Sequence, residues 1–143
     1  MKIVRSGSAA WSGGLKDGRG SISTQSGALK AAPYGFASRF EGQNGTNPEE
    51  LIGAAHAGCF TMALSKILGE QKLTAESMET TAQVALEQVG GGFAITQVKL
   101  TLKAKVPGAT EEKLKELAGL AKAGCPVSKL LKAEISLEVA LVK

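Results

Sequence analysis

Asn47-Pro48-Glu49-Glu50-Leu51-Ile52-Gly53-Ala54-Ala55-His56-Ala57-Gly58-Cys59-Phe60 carries the strongest local signals in the chain. Asn47 suits an N-cap, Pro48 the first helical position, and Glu50 completes a capping box. Together they predict a helix running to about Leu68, with Gly69 near its end. Its middle is almost uncharged, and a helix apolar on all sides is expected to be buried. Gly53, Ala54, Ala57 and Gly58 are small, so another backbone can approach closely. Gly58 weakens the helix by about 1 kcal/mol relative to Ala, which packing must offset.

Upstream, the chain is rich in Gly, Ser and Thr. Gly18–Thr24 reads as an edge strand. Tyr34–Glu41 reads as a second strand, with Phe36, Ser38 and Phe40 on one face and Ala37, Arg39 and Glu41 on the other. Downstream, 80–89 and 93–106 form a predicted hairpin around Gly90-Gly91-Gly92. Val98, Leu100, Leu102, Ala104 and Val106 alternate cleanly, but Phe93 and Ile95 are out of register with them. A bulge near Thr96-Gln97 would restore one apolar face.

Thr110 is placed to cap an amphipathic helix with Glu111 and Glu112 in its first turn. Leu114, Leu117, Ala118 and Ala121 follow helical spacing. Gly124 stops this helix, and Cys125-Pro126 places Cys125 at the N-cap of a short helix through Leu131. Ile135, Leu137, Val139 and Leu141 alternate in a final strand. There is no repeat, linker or low-complexity tail, so residues 1–143 are read as one domain.

Bulk composition narrows the function. Hydrophobic residues make up 43% and aromatics only 4%, so aliphatic side chains must fill the core. The formal net charge of +4 is mild, and the 17 Lys and Arg are interleaved with acids, as in Glu111-Glu112-Lys113-Leu114-Lys115-Glu116. A nucleic-acid binder gathers its basic residues into a stripe, so none is expected as a partner. The N-terminus lacks the apolar core of a signal peptide, and no run is read as approaching a membrane span. A cytoplasmic protein without membrane partners is expected, in a compartment that keeps thiols reduced.

Several chemistries lack their motifs. One His, one Asp and no G-x-S-x-G argue against a serine hydrolase. His56, Cys59 and Cys125 could supply at most three zinc ligands, with no C-x-x-C spacing. No phosphate-binding loop is present. His56 reads as a packed or hydrogen-bonded structural histidine. The two cysteines remain open between small core filler and chemistry. For chemistry, Cys125 sits at a helix N-terminus, which lowers a thiol pKa, and the other Cys is available as a partner.

Gly45-Thr46-Asn47-Pro48 through Phe60 closely resembles the first cysteine motif of the OsmC/Ohr family, the osmotically inducible and organic hydroperoxide resistance proteins. Lys122-Ala123-Gly124-Cys125-Pro126-Val127-Ser128 resembles the second, and Pro33–Gly42 is similar to the OsmC branch in particular. The resemblance covers essentially the whole chain. It implies an α+β, OsmC-like fold: an intertwined homodimer with two long central helices wrapped by antiparallel β-sheets. It also implies a thiol-dependent peroxidase without metal or other cofactor, active in stress defence. Its partners would be an organic hydroperoxide substrate and an external dithiol reductant, such as a lipoylated protein.

Residue by residue, the resemblance implies that Cys59 is the peroxidatic and Cys125 the resolving cysteine. It implies that Arg39 supports the thiolate and that Glu49 holds Arg39. Arg19 is the alternative to Arg39, because the Ohr branch places its arginine in an early Gly-rich turn. Glu50 is the alternative to Glu49. Ten residues separate Glu49 from Cys59, about 15 Å along a helix, so a Glu and Arg from a partner chain would serve Cys59 more simply. Apolar residues around Cys59 would favour organic peroxides. The rival functions are a non-catalytic small-molecule-binding dimer and a redox sensor.

Overall fold

The computed structural model describes residues 1–143. The first unit spans 1–51 and the second 52–143. In the first, β1 (Gly7–Ser12), β2 (Arg19–Thr24) and β3 (Ala32–Tyr34) form an antiparallel sheet in the order β1-β2-β3. The stretch expected at an edge is therefore the central strand. Its neighbour β1, Gly-Ser-Ala-Ala-Trp-Ser, is exposed throughout and has no apolar alternation to announce it. Gly20 is required where Trp11 and Tyr34 close over β2, because a Cβ there would lie 2.7 Å from Trp11 Cε3.

The strand expected over Tyr34–Glu41 is corrected: only Tyr34 belongs to β3, and Phe36–Phe40 is a short helix, α1. The pattern was ambiguous, since residues 36 and 40 also share a helix face at i, i+4. The two rings lie 4.9 Å apart. Ser38 favours the helical alternative. Its hydroxyl accepts from the Gly35 amide at 2.9 Å and donates to the Thr46 carbonyl at 2.9 Å.

The long helix α2 spans Pro48–Glu70. Asn47 Oδ1 accepts from the Glu50 amide at 2.8 Å, as an N-cap should. The reciprocal half of the capping box does not form, because Glu50 Oε1 accepts instead from the Thr46 hydroxyl at 2.8 Å. Two further expectations about this helix change. It does not bury all sides: Gly53, His56, Phe60, Leu64 and Leu68 face inward, while Ala54, Ala55, Gly58 and Met62 are exposed. It is also long and apolar enough to cross a membrane by length and composition, with a mean hydropathy of 1.4 over 18 residues. Its inner face nonetheless lies in a protein core with Val98, Leu100, Leu117 and Ala121.

The second unit continues with β4 (Ser77–Val89) and β5 (Gly92–Lys105), an antiparallel hairpin. Gly90 and Gly91 turn it with φ of 56° and 82°, the left-handed pair that suits a tight two-residue hairpin. Register shifts where Ala85 pairs with Gln97 and Leu86 with Ile95. Thr96 is thus the extra residue, at the expected bulge. Val98, Leu100, Leu102 and Ala104 are fully buried, while Phe93, near the hairpin tip, remains 59% exposed.

Helix α3 (Glu111–Gly124) is capped by Thr110, whose hydroxyl accepts from the Lys113 amide at 3.1 Å. Leu114, Leu117, Ala118 and Ala121 are its buried residues, as their spacing predicts. Helix α4 (Pro126–Leu130) follows, and β6 (Glu134–Leu141) completes the sheet β4-β5-β6. β6 runs parallel to β5, so the second sheet is mixed rather than wholly antiparallel. A parallel partner requires a crossover, and α3 and α4 supply it.

Candidate active site

Cys59 comes from the middle of α2, three residues after His56, and is partly buried. Cys125 is fully buried at the junction of α3 and α4. Both are free thiols, and each lies close enough to the other to act on its ionisation. The core brings them together: α2 packs its inner face against the residues of β5 and α3, and α3 ends at Cys125. The junction is sharp because Gly124 ends one helix and Pro126 opens the next, a position where a missing N–H costs nothing.

The pair is electrostatically unequal. Burial pushes the Cys59 thiol up, the neighbouring Cys125 thiol pushes it further, and the Val127 amide only partly offsets both. Burial also raises Cys125, but the neighbouring Cys59 thiol, the amide and hydroxyl of Ser128, and the Val127 amide outweigh it and bring that thiol down. Cys125 closes no strict side-chain cap bond on α4, yet the donors of its first turn still favour the thiolate. Between themselves, the two sulfurs favour ionisation of Cys125 over that of Cys59. A cation beside Cys59 is the kind of group that reverses this order.

His56 is fully buried and its Nε2 lies 2.7 Å from the Ser128 hydroxyl. Burial depresses its pKa, so the ring is neutral. It is hydrogen-bonded, as expected, but its partner was not foreseen. Ser128 stands three residues after Cys125, the spacing from an N-cap to the first-turn residue that faces it, and that spacing was the available signal.

In residues 1–51, Arg39 and Glu49 are joined. Arg39 Nη2 donates to Glu49 Oε1 at 2.6 Å, and its Nε donates to both carboxylate oxygens at 3.2 Å. Glu49 is buried at 9% exposure, which leaves its charge dependent on this partner. Arg19 has no carboxylate partner, and Glu50 is engaged with Thr46. A cavity of about 180 Å³ opens beside Arg39, lined by Trp11, Leu15, Tyr34, Phe36 and Phe40. Trp11 and Tyr34 meet edge to face at 5.5 Å. No group of three or more His, Cys, Asp or Glu side chains is arranged to hold a metal ion.

An α+β fold carrying two facing thiols, one at a helix junction that favours its ionised form, defines a two-cysteine redox protein. Residues 41–140 match the family described as OsmC-like protein. The chain is 54% identical over 141 residues to Peroxiredoxin OsmC of Escherichia coli K12, covering 99% of each. It is 36% identical over 103 residues to organic hydroperoxide resistance protein OhrB of Bacillus subtilis, covering 71% of this chain and 73% of that one. The crystal structure of that OhrB superposes with a TM-score of 0.68 at 30% identity, covering 96% of this chain and 98% of the other. The chain belongs to the OsmC-like family, and it is a thiol-dependent peroxidase.

Proposed function

We propose that the protein reduces organic hydroperoxides to alcohols, with Cys59 as the peroxide-attacking thiol and Cys125 as its resolving partner. The observation that carries this reading is the juxtaposition in one core of two free thiols far apart in sequence, each acting on the other's ionisation. The Cys59 thiolate attacks one peroxide oxygen. An S–O bond forms as the O–O bond breaks, the alcohol leaves with a proton, and Cys59 becomes a sulfenic acid. Cys125 then displaces hydroxide from that sulfur, giving a Cys59–Cys125 disulfide and water. An external dithiol, such as a lipoylated protein, reduces the disulfide by exchange. No metal or other cofactor enters these steps.

Arg39 is the cation assigned to the Cys59 thiolate, and Glu49 holds it in a fork that a guanidinium, but not an ammonium, can make. The apolar cavity beside Arg39 suits the alkyl part of a hydroperoxide.

The exposed face of α2, with Met62 at 77% exposure, supports a homodimer in which a second copy covers that helix. Two such helices would then lie at its centre, and the Arg39–Glu49 pair serving a given Cys59 would come from the other copy. The family match runs through the boundary at residue 51, which supports reading 1–143 as one domain. Work as a soluble cytoplasmic protein in stress defence fits a reductant-dependent thiol cycle.

Steady-state consumption of tert-butyl hydroperoxide with dihydrolipoamide tests this function. Wild type is expected to turn over many times, and Cys59→Ser to lose activity. Full turnover by Cys59→Ser would overturn the thiol mechanism. A wild type that stops after one equivalent would be a sensor rather than a peroxidase.

A further inference from the structure

His56 takes no part in the scheme above, yet it is completely buried, its Nε2 bonds Ser128 at 2.7 Å, and its Nδ1 has no partner at all. That orphan atom fixes the direction of the hydrogen bonds. If the Ser128 hydroxyl donated to Nε2, the ring proton would sit on Nδ1 as a buried N–H with no acceptor. If instead Nε2–H donates to Ser128, the Ser128 hydroxyl proton is free to turn toward the Cys125 sulfur three residues earlier, on which that hydroxyl acts, and both donors are satisfied. Only a bare lone pair remains on Nδ1. Counting donors therefore selects the second arrangement.

We propose that His56 and Ser128 are positioning residues for Cys125, a buried hydrogen-bond chain that keeps donors turned toward its sulfur and so sets the rate of disulfide formation. The inference rests on the resolving role proposed for Cys125.

The chain matters most after the peroxide has reacted. Once Cys59 is a sulfenic acid, its thiol no longer donates to Cys125, and the remaining support comes from α4 and from His56 through Ser128. The Cys125 thiolate attacks the sulfenic sulfur. The S–S bond forms as the S–O bond breaks, and hydroxide leaves to take up the proton that Cys125 released on ionising. Cys125 sulfur is oxidised and the sulfenic sulfur reduced. The titratable groups facing Cys125 are Cys59 and, through Ser128, His56, both from α2. No charged side chain of α3 or α4 is among the groups that act on its sulfur.

The test follows disulfide formation after one equivalent of tert-butyl hydroperoxide, by rapid quenching with an alkylating reagent and mass spectrometry, across pH. Ser128→Ala is expected to slow the step about tenfold near neutral pH, the effect of losing one hydrogen bond to a charged group. Its pH profile should move upward, and the deficit should close at alkaline pH, where Cys125 ionises unaided. Ser128→Thr keeps the hydroxyl and should restore the rate. His56→Leu should shift the profile in the same direction, and the Ser128 pair carries the test if that variant does not fold. A sulfenic acid that persists is open to further oxidation, so Ser128→Ala should also accumulate Cys59 sulfinic acid under excess peroxide. Disulfide formation in Ser128→Ala at the wild-type rate and pH profile overturns the relay alone. Wild type that forms no Cys59–Cys125 disulfide overturns the functional reading beneath it.

Discussion

Arg39 and Glu49 are locked by three donor contacts, the shortest 2.6 Å, across a span of chain that turns from α1 into α2. A fork of this kind fixes the plane of the guanidinium as well as its distance. Glu49→Ala should therefore lower kcat/KM for alkyl hydroperoxides by about ten- to a hundredfold through loss of positioning. Arg39→Lys should behave nearly as badly as Arg39→Ala, because an ammonium cannot reproduce two parallel bonds. Steady-state kinetics of the three variants check this.

The aromatic cavity beside Arg39 makes a selectivity prediction. Phe36 lines it and pairs with Phe40. Burying such a side chain against an alkyl group is worth about 1.5–3 kcal/mol. Phe36→Ala should raise KM for cumene hydroperoxide by about tenfold or more while leaving hydrogen peroxide consumption nearly unchanged. Equal losses for both peroxides would place the alkyl site elsewhere.

His56 predicts a pH dependence of stability. Burial lowers its folded pKa below the ordinary 6.5. Between those two values the unfolded chain binds a proton that the folded chain does not, so stability rises with pH in that window. It is fully present above about pH 6.5 and is lost as pH falls toward the depressed value. Thermal unfolding should show Tm dropping on acidification, and His56→Gln should flatten that slope even if it lowers Tm throughout.

The outer face of α2 predicts association. Met62 is 77% exposed on a helix that is otherwise rich in Ala and Gly. Met62→Glu should convert a dimer into a monomer in sedimentation experiments, with little loss of secondary structure by circular dichroism. Gly53→Ala is the contrasting control. Its Cβ would meet the Ala82 carbonyl oxygen at 2.9 Å, so it should destabilise the fold by about 1–3 kcal/mol through overpacking.

The second unit was largely legible in sequence because its signals are local and redundant. The alternation from Val98 to Val106, the Thr110 cap and the spacing of α3 each specify one element, and the phase break at Ile95 located the bulge. The first unit was less legible. Over Phe36–Phe40, a five-residue pattern satisfied strand and helix alike, and the Ser38 hydrogen bonds that decide between them are tertiary. β1 carries no periodic signal at all. The apolar character of α2 is plain in the sequence, but it implies burial against something, and the chain itself covers only one side of the helix. Both cysteines, Arg39 and Glu49 were legible through the family motifs. Ser128 was not, because a serine at helix-start spacing is common and gains meaning only from the buried ring facing it.

In the proposed mechanism Cys59 meets the peroxide and Cys125 resolves the product, although burial and the neighbouring dipoles alone favour ionisation of Cys125 over Cys59. Treating Cys125→Ser and Cys59→Ser separately with one equivalent of tert-butyl hydroperoxide in the presence of dimedone, then mapping the adduct by mass spectrometry, addresses it directly. The account predicts rapid labelling of Cys59 in the first variant and little on Cys125 in the second. Rapid labelling of Cys125 in Cys59→Ser, with Cys59 inert in its counterpart, would contradict it.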